Sequence, residues 1–119
     1  MRPDSFSFPK TLRLTHHSEY EYVKREGISH RKKLLMLSVA EIEKTARWRA
    51  GFVTSRRLGP AVVRNRVRRR LREIVRRHQR ELRKGVWFIV IARPAAATAT
   101  YRTLEDEWLR LASRASILL

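Results

Sequence analysis

The chain has 119 residues, 43% of them hydrophobic and 33% charged, which suits one packed domain and excludes the apolar-poor composition of a disordered segment. Its 28 Lys and Arg against 11 Asp and Glu leave a net charge of +17, and so large a charge in so small a body points to a polyanionic partner, nucleic acid above all. Cysteine is absent, so disulfides, thiolate metal sites and a cysteine nucleophile are excluded together.

"MRPDSFSFPKTLRL", residues 1–14, is expected to be an extended arm, because Pro3 and Pro9 discourage helix while Phe6 and Phe8 alternate toward one side. It lacks the apolar core of a secretion signal, which favours a cytoplasmic protein. In "THHSEYEYVKREG", 15–27, Thr15 or Ser18 can cap a helix, Glu21 stands three residues after Ser18, and Gly27 stops it, with Tyr20 and Val23 on its inner face. "KLLMLSVA", 33–40, and "WRAGFVTS", 48–55, read as strands joined through the polar "EIEKTAR" into a hairpin. A long helix is predicted to open after Gly59, with Pro60 in its first turn, and to close at Gly85. "VWFIVIA", 86–92, is apolar throughout, as in a buried strand, and is far too short to cross a bilayer. After a small-residue connector, Thr100 caps a last helix whose Leu104, Trp108, Leu111 and Ala115 make an inner stripe. These elements predict a single domain over 1–119, an α/β (α+β) two-layer sandwich in the order α-β-β-(β)-α-β-α, with a small central sheet of about four strands.

From Arg56 to Lys84 there are thirteen basic residues and two acidic ones, so +11 of the +17 lies on one stretch. Wound as a helix, Val63, Val67, Leu71, Ile74, Val75, His78 and Leu82 fall within an arc of roughly 120° that faces the sheet. Arg66, Arg68, Arg69, Arg70, Arg72, Arg76, Arg77, Arg80 and Arg83 take the remaining circumference, with Arg64 at the border. Pairs of Glu73 with Arg69 and Arg77 relieve only part of that charge. Arginine's planar fork suits phosphate better than the point charge of lysine, so the helix reads as a built wall of a nucleic-acid site.

"FPKTLRLTHHSEYEYVKREG" at 8–27, "GFVTSRRLGPAVVRNRVRRRLREIVRRH" at 51–78 and "VWFIVIARPAAATATYRTLEDEWLRL" at 86–111 together resemble the protein subunit of bacterial ribonuclease P. The "RNR" within "GPAVVRNRVRRRLRE" carries the resemblance, and "FPK.LRL" and "IARP" corroborate it. It implies a noncatalytic partner of a catalytic RNA that removes the 5′ leader from precursor tRNA, with Mg2+ used by the RNA, no cofactor on the protein, and one protein per RNA subunit. It further implies that Arg64, Asn65, Arg66, Arg68, Arg69, Arg72 and Arg76 of the basic helix meet RNA, and that Arg56 and Arg57 stand at the family's usual lysine pair. The single-stranded leader would lie in a cleft with Tyr20 on its floor. Lys24 and Ser38 stand where the family often carries aromatic cleft residues, which shifts leader binding here from stacking toward charge. The resemblance also implies a left-handed crossover around the long helix, against the usual rule.

Other clusters read as structural. His16 and His17 are adjacent and point apart, His78 lies on the apolar arc, and His30 is a surface residue. Glu105, Asp106 and Glu107 diverge by about 100° per step and suit a helix N-terminal half better than a metal site. Trp48, Trp87 and Trp108 are expected in the core. No pairing of carboxylates or histidines suits phosphodiester hydrolysis by the protein alone. A generic RNA chaperone or ribosome-associated basic protein is the alternative function, and a DNA-binding architectural protein the third; the ordered asparagine between two arginines favours the first reading.

Overall fold

The structure, a computed structural model, describes residues 9–119. Phe6, Phe8 and most of the expected arm therefore lie outside the described residues. The arm's last part is docked: Lys10–Leu12 form a 3-10 turn, Leu12 and Leu14 are buried, and Arg13 forms a bridge with Ala50.

Three helices and four strands follow: α1 (His17–Glu26), β1 (Ile28–Arg31), β2 (Leu35–Glu41), β3 (Arg49–Thr54), α2 (Ala61–Arg77), β4 (Val86–Ala92) and α3 (Tyr101–Arg114). Gly27 ends α1 as expected, its N–H donating to the Val23 carbonyl at 2.8 Å. The start differs from the expected Thr15 or Ser18 cap. The carboxylate of Glu19 accepts from the N–H groups of Thr15 and His16 at 2.8 and 2.9 Å, so Glu19 and not Glu21 closes the first turn. Thr100 caps α3 as predicted, accepting from the Thr103 N–H at 3.1 Å.

The sheet runs β1-β2-β4-β3, which corrects the predicted hairpin. β2 and β3 do not pair; β4 lies between them, antiparallel to β2 and parallel to β3. A strand that is apolar at every position must be covered on both faces, and a central place provides that. The short β1 supplies the fourth strand, pairing antiparallel with β2.

α2 and α3 cover one face. There Leu35, Leu37, Val39, Ala50, Phe88 and Val90 meet Val67, Leu71, Ile74 and Val75 of α2 and Leu104, Trp108 and Leu111 of α3. Each fully buried large side chain contributes roughly 1.5–3 kcal/mol. α1 lies against the opposite face, where Leu14, Val23, Ala40 and Ile89 form a smaller core.

The long helix is shorter than predicted. It ends at Arg77, and Gln79–Glu81 continue as a 3-10 turn, so Arg80 and Arg83 leave the helix surface. His78 sits at that break. Its ring packs on Trp108 with centroids 5.9 Å apart, and its nitrogens meet Glu81 at 3.0 Å and Glu105 at 2.8 Å, the satisfied boundary role expected of it. Glu107 does more than complement the dipole of α3: its Oε2 accepts from the backbone N–H groups of Leu34 and Leu35 at 2.6 and 2.7 Å, anchoring the start of β2.

Candidate nucleic-acid interface

The strand register divides the face under α1 into three rungs. Ala40, Trp87 and Arg49 form the first, Ser38, Ile89 and Gly51 the second, and Met36, Ile91 and Val53 the third. Tyr22 stands edge-on to Trp87 at 5.8 Å, so Trp87, unlike the buried Trp48 and Trp108, is half-exposed on this second face. Tyr20 lies on Gly51. A Cβ at Gly51 would stand 2.7 Å from the Tyr20 ring, so only glycine lets the ring rest this close to the strand. The third rung is left half-open, an apolar strip beside a half-buried tyrosine.

An ion pair fixes this geometry. Arg49 Nη1 donates to Glu19 Oε2 at 2.6 Å, Arg49 Nη2 donates to the Arg13 carbonyl, and the guanidinium lies 5.4 Å from the Trp87 ring centroid. Burial raises the Glu19 pKa, but the N–H groups of His16 and Thr15 and the Arg49 guanidinium outweigh it and hold the carboxyl below its ordinary value. The start of α1, and with it Tyr20, is thereby tied to β3.

α2 is the other wall. Spacing of four residues puts Arg64, Arg68 and Arg72 on one stripe. Arg68 donates to Thr54 Oγ1 at the end of β3 and, at 3.1 Å, to Asn65 Oδ1. Arg72 is half-buried. Its pKa is lowered by burial first, then by the like charges of Arg13 and Arg68, while Tyr20 acts in the opposite sense. These neighbours place Arg72 in the cleft with Tyr20.

The remaining predicted residues divide. Arg56 and Arg57 are exposed on a 3-10 turn, Arg56–Leu58, and Gly59 at φ 130° turns the chain from it into α2. Asn65 and Arg69 are exposed on the outer side of α2. Arg66 and Arg70 face the other flank, donating to the Ala97 and Ala99 carbonyls at 3.1 Å each, and so hold the connector before α3. Arg76 forms a two-bonded pair with Glu73 at 2.8 and 2.7 Å, which with burial of the acid leaves Glu73 below the ordinary carboxylate range. The pairing expected of Glu73 with Arg69 and Arg77 is replaced by this one, and Arg77 lies 3.8 Å from Glu105 instead. Lys24, one turn after Tyr20, is exposed. Ser38 is on the cleft face but only 4% exposed, its hydroxyl 2.8 Å from that of Ser29, so it offers little to a ligand.

Sequence reasoning missed Arg13 and Arg49. The signal for Arg13 was its place between two leucines in "LRL": a cation flanked by core residues in an extended segment must find a polar niche at the sheet edge. Among the described residues no three His, Asp or Glu side chains converge as a metal site, and no helix is long and apolar enough to cross a membrane.

The family described as Ribonuclease P matches residues 8–116. The chain is 35% identical over 109 residues to the ribonuclease P protein component of Brevibacillus brevis, covering 92% of this chain and 86% of that one. To that of Acidothermus cellulolyticus it is 38% identical over 108 residues, 89% of each. Among solved structures, the RNase P protein from Thermotoga maritima superposes with a TM-score of 0.77 at 26% identity, covering 86% of this chain and 96% of that one. The Staphylococcus aureus RNase P protein superposes with a TM-score of 0.84 at 22% identity over 91% and 98% of the two chains, a likeness of fold.

Proposed function

The chain belongs to the ribonuclease P protein family, and from that premise we propose that it is the noncatalytic subunit that assists a catalytic RNA in endonucleolytic removal of the 5′ leader from precursor tRNA. The observation that carries this reading is the cleft in which Tyr20 on Gly51, the half-open Met36, Ile91 and Val53 rung, and the Arg64, Arg68 and Arg72 stripe meet. An aromatic face beside cations is what a single strand needs, because bases stack while the backbone follows the charge. A double helix could not reach a recessed tyrosine.

The outer side of α2, with Asn65 and Arg69, and the exposed Arg56 and Arg57 are left for the folded RNA subunit. Two surfaces then serve two RNAs. The magnesium-dependent hydrolysis belongs to the RNA subunit, and the protein's part is to bind the RNA and to orient the leader. We assign one protein to each RNA subunit and the cytoplasm as its compartment. Reconstitution tests the whole reading: the purified chain added to a bacterial ribonuclease P RNA at low magnesium should stimulate precursor tRNA cleavage and tighten precursor over mature tRNA. Folded protein that gives neither effect with active RNA would overturn it.

A further inference from the structure

We propose that Arg13 and Arg72 together form the seat for one phosphate of the leader, beside the nucleotide whose base lies on Tyr20. The inference rests on the reading of the cleft given above and adds to it a residue from outside α2. Arg13 comes from the segment before α1, held against β3 by its bridge to Ala50 and by Arg49, which donates to the Arg13 carbonyl. Arg72 comes from the inner stripe of α2. The Nε atoms of both are buried and have no hydrogen-bond partner within the protein.

A buried N–H without an acceptor is costly, and two guanidinium groups doing this side by side repel as well. No carboxylate relieves Arg72: the charges that act on it are Arg13, Arg68 and the Tyr20 hydroxyl. Glu19, the acid nearest in sequence to Tyr20, is already taken by Arg49 and two backbone N–H groups. Arg68 is held away from the seat by Thr54 and Asn65. An anion with several acceptor oxygens satisfies both Nε groups and offsets the repulsion at once, and phosphate matches the arginine fork. The seat lies between α2 and the Tyr20 side of the sheet, away from Asn65 and Arg69. A flexible single strand enters there, whereas the folded RNA subunit meets the outer side of the helix.

The test uses the reconstituted holoenzyme and precursor tRNAs that each carry one uncharged methylphosphonate linkage, scanned through the leader. With the native protein, one linkage should weaken binding about tenfold, as expected for losing hydrogen bonds to a charged group. In Arg13→Gln that penalty should vanish while those at other linkages persist, and Arg13→Lys should restore part of it. Arg72→Gln, on a different element, should erase the same linkage, which guards against a folding defect in either variant. A scan identical in native and Arg13→Gln holoenzymes would overturn the seat, as would a variant that loses affinity for the RNA subunit alone. If the native holoenzyme binds precursor and mature tRNA equally, the leader reading itself fails; if it prefers precursor but no linkage depends on Arg13, only the seat fails.

Discussion

Replacing Gly51 by alanine tests the cleft through a residue that itself offers no side chain to a ligand. The new Cβ would stand 2.7 Å from Cε2, Cζ and Oη of Tyr20. Ordinary carbon contacts are about 3.5–4.0 Å, so the ring must lift by roughly 1 Å. Because Tyr20 is half-exposed and its ring is the free end of a side chain, it can lift outward, and the stability cost should be at the low end of the roughly 1–3 kcal/mol typical of overpacking. Binding should suffer more. Stacking of a base on an aromatic ring is worth roughly 1–3 kcal/mol, so displacing the ring should weaken precursor tRNA by about fivefold to about 150-fold. Mature tRNA, which has no leader, should be unaffected. Titration of the reconstituted holoenzyme with both RNAs, beside thermal melts of the protein, measures each quantity. In a Tyr20→Ala background the Gly51→Ala change should add nothing, since the two residues act through one contact. Equal losses for precursor and mature tRNA, or additive losses in the double variant, would refute the role given to Tyr20.

Three further outcomes follow from the geometry. Burial lowers the His78 pKa, but the hydrogen-bonded carboxylates of Glu105 and Glu81 raise it to a net value above the ordinary 6.5. His78 thus holds its proton more tightly folded than unfolded, and the stability it contributes is complete below the unfolded value and lost as pH rises through the folded one; His78→Gln should flatten that part of the curve in melts from about pH 6 to about pH 9. Glu107→Ala leaves the Leu34 and Leu35 N–H groups without their shared acceptor and should cost about 2–4 kcal/mol in denaturant unfolding, while Glu107→Gln, which keeps an acceptor oxygen, should lose clearly less. Binding to the RNA subunit should weaken with salt at a log–log slope of about −4 to −5 for roughly six neutralised phosphates, and a slope near zero would remove electrostatics as the source of affinity.

Most elements were legible because their signals are local. Gly27 ends α1, Thr100 caps α3, and the apolar arc of α2 is the buried one: periodicity and punctuation report on a residue's own turn. The pairing of strands is not local. β2 and β3 follow each other in sequence, and adjacency suggested a hairpin, but "VWFIVIA" has no polar side to give to solvent and so takes the centre between them. β1 was hard to see because "ISHR" has neither length nor alternation and is exposed at three of its four positions. In the cleft, Tyr20 was legible as an aromatic on the inner face of α1. That it rests on Gly51 depends on how α1 lies across β3, and no pattern within either element reports that angle.

The same distinction governs the arginines. As a sequence, α2 offers a ring of similar cations, and helical spacing alone separates only those on the apolar arc from those off it. The fold divides them by what each meets. Arg66 and Arg70 find carbonyls at the connector before α3, and Arg76 and Arg77 find Glu73 and Glu105, so these four hold the domain together and part of their charge is already answered. Arg64, Arg68 and Arg72 turn toward β3, where Arg68 is held by Thr54, Arg13 arrives from another segment and no acid is provided. Like charges are concentrated on this side because it is completed by an anion from outside the chain, whereas the opposite flank is completed from within. The asymmetry makes a strong statement about substitution: alanine at Arg70 should cost folding first and RNA binding second, and alanine at Arg69, exposed on the outer side, should do the reverse.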